Sequence, residues 1–224
     1  MQDFSFFFQQ GLSHISDPNA YDHILFIVAL AALHSLSNWR ALVYLITAFT
    51  VGHSLALALA TFKVVQANTA LIEFLIPVSI ISTCIWNIFR VVKGYEPGAA
   101  KEENNNILED KITKPMKILS VKRSSLIYTI VIAFGLIHGL GFSNYLRFLL
   151  SEGESIAVPL LGFNVGLELG QILILIVALL INFVFLDLAR ISFRIWAILV
   201  SLLVFFLSIP IAVETGTALF TSGG

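Results

Sequence analysis

The strongest constraint on this chain comes from its long apolar runs, which short polar stretches separate. Six such runs cover roughly residues 22–37, 40–62, 70–92, 125–149, 157–186 and 193–213. About 20 apolar residues are enough to cross the hydrocarbon core of a bilayer as a helix, and the first run is short for that purpose. Every backbone amide in that core must be bonded within the protein, which selects helices. The runs therefore predict an all-α, polytopic membrane bundle of six transmembrane helices.

The composition agrees with a lipid environment. Hydrophobic residues make up 58% of the chain and charged residues 12%, whereas soluble domains carry about 25% charged residues. The formal net charge of −1 gives no indication of nucleic-acid binding. The single cysteine, Cys84, excludes an internal disulfide. We therefore expect this protein to lie in a lipid bilayer and not to bind nucleic acid.

The distribution of basic residues predicts the orientation. With six spans, all of the 13 Lys and Arg residues except Lys63 and Arg147 fall on the side that holds residues 93–124. Basic residues concentrate on the cytoplasmic side of membrane proteins, so both termini are expected in the periplasm. The opposite side is acidic, a pattern that either concentrates cations or is simply a solvated surface.

The runs divide a single membrane domain, residues 1–224, into successive segments. These are a periplasmic interfacial segment (1–21), three helices (22–92), a cytoplasmic loop (93–124), three further helices (125–213) and a periplasmic tail (214–224). In the first segment Phe4, Phe8, Leu12 and Ile15 share one helical face. This spacing predicts a short amphipathic helix in the outer interface, holding His14 over the mouth of the bundle.

Ionisable side chains within the spans are the main functional candidates, because burying them in hydrocarbon is costly. His53, His138 and Glu168 lie on three different spans, near the middle or outer half of the bilayer. His23 follows Asp22 at the outer end of the first span. Neutral imidazole and carboxylate are ligands for zinc, nickel, copper and iron. The pattern predicts a divalent transition-metal site, with Asp22 as a ligand or as a group that orients a ligating histidine.

Uncharged polar residues share the helix faces of these candidates and predict a polar path or a second layer around the site. They are Thr50, Ser54, Asn164, Gln171 and Asn182. Interhelical hydrogen bonding is the alternative interpretation for His53 and for several of these residues taken singly. It is also the better interpretation of His34, at the cytoplasmic end of its span. For His138 together with Glu168 a function is favoured, since a purely structural contact needs no carboxylate.

Glycines recur beside the candidate residues. Gly162, Gly166 and Gly170 form a stripe on the fifth run, and Gly135 and Gly139 flank His138. Small residues at this spacing allow two helix backbones to approach closely. We therefore expect tight helix packing around the polar residues.

Five segments that contain these residues resemble the HupE/UreJ family, in particular its second subgroup. They are GLSHI at 11–15, YDHILFI at 21–27, TAFTVGHSLAL at 47–57, FGLIHGLGF at 134–142 and FNVGLELGQ at 163–171. They occur in the same order as in the family and cover four of the six predicted spans. Ala20 departs from the family pattern, which has Gly before the Tyr-Asp-His.

The resemblance implies a hydrogenase/urease accessory-type protein of the bacterial inner (cytoplasmic) membrane, which takes up nickel or cobalt and serves a metalloenzyme maturation system. The implied metal-binding residues are His14, Asp22, His23, His53, His138 and Glu168. The choice of nickel or cobalt comes from the resemblance alone. The residues themselves predict only a divalent transition metal.

Three functions are compatible with the sequence. The first, which we favour, is a metal permease without catalytic activity. The second is an intramembrane zinc-dependent hydrolase, in which three histidines leave one position open for water and Asp22 or Glu168 is the general base. It lacks a compact His-Glu-x-x-His motif. The third is a structural subunit without metal, which the clustered ionisable residues disfavour.

Overall fold

The structure, a computed structural model, describes residues 4–17, 21–65, 68–95, 116–149 and 156–222. The described residues are almost entirely helical, which confirms the predicted helical membrane bundle. We number the helices in chain order as α1 (Phe4–Ser16), α2 (Asp22–Ala31), α3 (Trp39–Thr61), α4 (Thr69–Val92), α5 (Met116–Leu149), α6 (Ala157–Phe183) and α7 (Phe193–Ser222). A 3-10 turn at Leu36–Asn38 precedes α3, and a π-helical turn at Val184–Leu188 extends α6.

Five of the described helical segments are long and apolar enough to cross a membrane. They are Leu36–Thr61, Thr69–Val92, Leu126–Ser143, Ala157–Leu188 and Phe193–Thr221. The boundaries of α3 and α4 lie within one residue of those predicted. The α5 helix begins inside the predicted loop 93–124, and α7 continues into the predicted tail; residues 96–115 of that loop lie outside the described residues.

The first predicted span, 22–37, is much shorter than expected. The α2 helix has 10 residues and is about 15 Å long, half of the hydrocarbon thickness. Its end lies inside the bundle, where the Asn182 amide donates to the carbonyls of Ala31 and His34, both at 3.0 Å. The Asn87 amide donates to the carbonyl of Ala29 at 2.7 Å. Two asparagines from other helices thus satisfy carbonyls that a short helix leaves unpaired.

The short N-terminal helix that the sequence predicts is present as α1, and it lies against α6. Phe7, Gly11 and Ile15 are buried on it. Its backbone approaches the glycine stripe of α6 so closely that a methyl group at Gly166 would overlap the carbonyl of Phe8. The glycine stripe is therefore packed tightly, as predicted, and its partner is α1. Hydropathy alone does not identify this partner.

Together α1 and α2 follow α6 from end to end. Phe4 contacts Gly162 and Ile15 contacts Gly170, while Ala31 is bonded to Asn182. Both helices therefore run in the same direction as α6, and helical structure is interrupted between Ser16, where α1 ends, and Asp22, where α2 begins. Interrupted membrane helices are common at the ion sites of transporters. Within the described residues, five long helices correspond to five of the six predicted spans. The short helices α1 and α2 lie where the remaining span was expected.

Replacing Asn182 with Leu is expected to destabilise the fold. The amide makes two bonds to the end of α2, and its Oδ1 accepts from the Trp196 indole at 2.9 Å. Leaving these buried groups unpaired lowers the free energy of unfolding by about 1–3 kcal/mol. The thermal unfolding midpoint in detergent should fall accordingly. Ser208→Ala is the control, because that hydroxyl bonds only within its own helix, to the Val204 carbonyl. Equal midpoints for the two variants would contradict this role.

Candidate metal centre

Three histidines from three helices meet beside the interruption between α1 and α2. His14 comes from the last turn of α1, His23 from the first turn of α2, and His53 from the middle of α3. One ligand atom from each lies within 4.8 Å of the others. Among the described residues, they form the one group of three or more His, Cys, Asp or Glu side chains with this proximity.

Glycines bring the backbones of α3 and α5 together at this level. A methyl group at Gly135 would overlap the carbonyl of Phe49, and one at Gly139 would overlap the backbone of His53. This close approach fixes His53 and His138 in neighbouring turns of facing helices. The tight packing expected from the glycines that flank His138 is therefore present.

Six ring nitrogens at this centre are buried without a hydrogen-bond partner. His53 is fully buried and His23 is 4% exposed. The buried nitrogens without a partner are Nε2 of His14, Nδ1 and Nε2 of His23, Nδ1 and Nε2 of His53, and Nε2 of His138. Each such group costs about 1–3 kcal/mol when left unpaired. A transition-metal ion bound to the lone pairs would remove much of this cost.

His138 lies beside the group of three. Its ring centroid is 5.1 Å from that of His23. Its Nδ1 donates to the carbonyl of Phe134 at 2.9 Å, so the lone pair is on the buried Nε2. Metal-ligating histidines are commonly oriented by such a bond from the other ring nitrogen. The ring of His138 is therefore already held in a form suited to binding a metal.

Asp22 supplies a carboxylate next to the imidazoles. Its Oδ1 lies 3.3 Å from Nδ1 of His23, without the alignment of a hydrogen bond. A negative charge at this distance favours a cation among the histidines. The geometry is compatible with both predicted roles of Asp22, as a ligand or as a group that orients His23.

Glu168 is separate from the three-histidine group. Its Oε1 accepts a hydrogen bond from the Thr47 hydroxyl at 2.7 Å. Nearby, the Thr50 hydroxyl donates to Oε1 of Gln171 at 2.8 Å. The two hydrogen bonds join α3 to α6. Glu168 thus lies on a helix that borders the centre, with its carboxylate engaged elsewhere.

The other predicted polar residues have different surroundings. The Ser54 hydroxyl donates to the carbonyl of Thr50 at 2.7 Å, within its own helix. Asn182 is fully engaged at the end of α2, as described above. Asn164 has a buried Oδ1 without a partner. Of these three, Asn164 alone offers an unsatisfied buried atom.

Aromatic rings surround the centre, and the sequence analysis did not identify them. The ring of Phe142 lies 3.9 Å from that of His14, and the ring of Phe163 stacks on that of His53 at 6.2 Å. Phenylalanine is ordinary in a membrane helix and therefore gives little signal by itself. Its spacing was informative, however, because phenylalanines stand three or four residues from each of the three histidines His23, His53 and His138. Residues three or four apart lie on one helix face.

The centre is open towards one side of the bundle and closed towards the other. A cavity of about 530 Å³ on the predicted outer side reaches His14 between polar residues, among them Gln10, Ser13 and Asp17. On the opposite side the ring of Phe26 lies 5.0 Å from that of Phe49 and 6.0 Å from that of Phe134.

The chain directions place these three phenylalanines on the predicted cytoplasmic side. Phe49 and Phe134 precede a histidine by four residues on helices that run outward, and Phe26 follows His23 on a helix that runs inward. The aromatic layer therefore separates the histidines from the predicted cytoplasmic half.

Comparison with known proteins gives one match. A family model described as HupE / UreJ protein matches residues 1–101 and 111–214, which include all the histidines. No curated protein and no solved structure matches the chain.

Proposed function

Because the chain belongs to the HupE/UreJ family, we propose that it carries a divalent transition-metal ion, nickel or cobalt, inward across the bacterial inner membrane. The observation that carries the proposal is the meeting of three imidazoles with unpartnered, buried ring nitrogens. The family is an accessory, transporter-like family associated with nickel and cobalt. The ion would be delivered to a system that matures metalloenzymes such as hydrogenase or urease.

In this proposal His14, His23 and His53 bind the ion, with His138 and Asp22 next to it. Histidine nitrogens bind such ions at about 2.1 Å, which places them about 3–4 Å apart. The three ligand atoms lie within 4.8 Å of one another, so modest side-chain rotations close the site. Ligating imidazoles must be neutral, and their protonation therefore favours release. Glu168, which the family resemblance also implies, would have to leave Thr47 in order to take part.

The proposed route begins in the outer cavity and passes His14. Asp17 in that cavity attracts cations, and His14 is shared between the cavity and the histidine group. The route from the histidines to the predicted cytoplasmic side is blocked by the layer of Phe26, Phe49 and Phe134. Transport therefore requires these rings to move. A carrier must also release what it binds, and opening of this layer would provide the step that exposes the ion to the other side.

A zinc-dependent hydrolase remains the second candidate, because the centre is accessible from one side only. Three imidazoles would hold zinc, the open position would face the outer cavity, and Asp22 would serve as general base. Such an enzyme keeps its metal through purification, whereas a carrier binds its cargo reversibly. Metal retention and metal flux therefore separate the two functions.

We expect proteoliposomes containing the purified chain to accumulate radioactive nickel in a saturable manner, with competition by cobalt. Glu73→Gln is a suitable control, because this acidic residue is exposed on the predicted outer side and is not a member of the histidine group. It should retain flux within about twofold, since a single exposed charge has a small, screened effect. Absence of flux, together with about one retained zinc per chain, would contradict transport and support the hydrolase.

A further inference from the structure

A second cavity lies in the predicted cytoplasmic half of the bundle, separate from the group of His14, His23 and His53. It has a volume of about 440 Å³ and is lined by residues of α2, α3, α4 and α5 and of the segment after α2. Volumes of this order are typical of ligand sites. Most of its lining consists of leucine, isoleucine, valine and aromatic side chains. His34 also lines the cavity but belongs to no group of potential metal ligands among the described residues, and the apolar walls suit a hydrocarbon chain.

The cavity extends from the predicted membrane surface to the middle of the bilayer. On α4 its lining runs from Arg90 back to Ser82, and on α5 from Leu126 forward to Phe134. Each stretch advances eight residues, or about 12 Å along a helix. The two helices run in opposite directions, so Arg90 and Leu126 mark one end of the cavity and Ser82 and Phe134 mark the other.

The cavity opens sideways to lipid between α4 and α5. Trp86 is 50% exposed, Leu126 is 59% exposed and Ile130 is 42% exposed, and all three line it. Exposed apolar side chains on a membrane-spanning bundle face acyl chains. A lipid tail can therefore enter from the bilayer without passing through the protein.

The polar end of the cavity carries a positive charge. Arg90 lines it and lies over the ring of Tyr95, with its guanidinium carbon 3.7 Å from the centroid. Tryptophan, tyrosine and arginine together mark the headgroup level of membrane proteins, and Trp86 stands one turn before Arg90. A guanidinium repels metal cations and binds phosphate well.

The remaining polar residues of the lining donate to backbone carbonyls, and Nδ1 of His34 donates to that of Leu30 at 2.9 Å. The hydroxyls of Ser82 and Thr83 donate to the carbonyls of Val78 and Ser79 at 2.7 Å and 2.9 Å. The amide of Asn87 donates to the carbonyl of Ala29. Arg90 is the Lys or Arg residue of this lining and carries its positive charge.

We propose that this cavity binds one acyl chain of a bilayer phospholipid, whose anionic headgroup lies against Arg90. The apolar walls, the lateral opening and the guanidinium at headgroup depth each match one part of that molecule. Basic sites between membrane helices on the cytoplasmic side are suited to anionic lipids. This site is independent of the proposed metal transport.

The test uses the full chain, delipidated in detergent and returned to an equal mixture of phosphatidylglycerol and phosphatidylethanolamine. Native mass spectrometry should detect one retained phosphatidylglycerol per chain. Arg90→Gln should lower the ratio of retained phosphatidylglycerol to phosphatidylethanolamine at least fivefold. Arg40→Gln removes the same charge from an exposed position on the same predicted face, outside the cavity lining, and should leave the ratio unchanged.

A second variant covers the case in which Arg90→Gln does not fold. Ser82 is exposed at the deep end of the cavity, so Ser82→Trp would fill the space of the acyl chain and should abolish retention of both lipids. Equal retention in the wild type and in Ser82→Trp would overturn the proposal, as would equal ratios for Arg90→Gln and Arg40→Gln. Nickel flux in the same samples reports separately on the metal centre.

Discussion

Replacing His23 with Leu is expected to abolish nickel uptake and to weaken nickel binding at least about 100-fold, beyond the range seen for losses in the second layer of a metal site. His23 is the central imidazole. Its ring lies 4.9 Å from that of His14, 6.1 Å from that of His53 and 5.1 Å from that of His138. Equilibrium dialysis gives the binding constant, and flux into proteoliposomes gives the uptake.

The same variant should not destabilise the metal-free protein as a typical core substitution does. Both ring nitrogens of His23 are buried without a hydrogen-bond partner, although Nδ1 lies 3.3 Å from the Asp22 carboxylate, so a leucine removes two unpaired polar atoms and breaks no hydrogen bond. Added nickel should raise the thermal midpoint of the wild type, because a ligand that binds only the folded state stabilises it. It should leave the midpoint of the variant unchanged.

His34 provides the matched control for His23. It lies outside the histidine group, and its Nδ1 donates to the carbonyl of Leu30 at 2.9 Å. His34→Leu should retain nickel binding within about threefold, since no change occurs at the ligands. Equal losses in the two variants would contradict the assignment of the centre.

Replacing Gly135 with Ala is expected to prevent normal folding or to cost about 3 kcal/mol or more, at the upper end for overpacked cores. The added methyl group would overlap the carbonyl of Phe49, which is backbone and cannot rotate away. The α5 helix would have to move from α3, and His138 would move away from His53. The yield of monodisperse protein and its thermal midpoint measure the effect.

Gly141 on the same helix is the control for this substitution. A methyl group there would meet the tip of the Ile76 side chain at 3.0 Å, which can shift at little cost. Gly141→Ala should therefore express and melt like the wild type. If Gly135→Ala behaves in the same way, the close backbone contact between α3 and α5 is not essential to the fold.

Hydropathy predicted the long spans well because the bilayer imposes their length. The boundaries of α3 and α4 fall within one residue of the predicted ones. The first span was predicted less well, since the end of α2 depends on Asn87 and Asn182, which are remote in sequence. The position of α1 depends on the glycine stripe of α6, and no local sequence pattern shows which helix packs against that stripe.

The candidate site could be predicted in part, for a similar reason. Depth along the helices places His53 and His138 in one layer, and the glycines beside them predict the close contact that the structure contains. The hydrogen-bond partner of Glu168 depends on the conformation of its side chain. Residue spacing in the sequence cannot predict that it accepts from Thr47 on a neighbouring helix. The phenylalanines that surround the histidines give little sequence signal, because phenylalanine is equally common on lipid-facing positions of membrane helices.

The central claim is that imidazoles from separate helices bind one metal ion together. X-ray absorption spectroscopy of the purified, nickel-loaded chain tests it most directly. We predict nitrogen ligands at about 2.1 Å with the outer-shell scattering of about three imidazoles, lost when His14, His23 and His53 are replaced together. A spectrum with oxygen ligands only, or one that the triple substitution leaves unchanged, would contradict the claim.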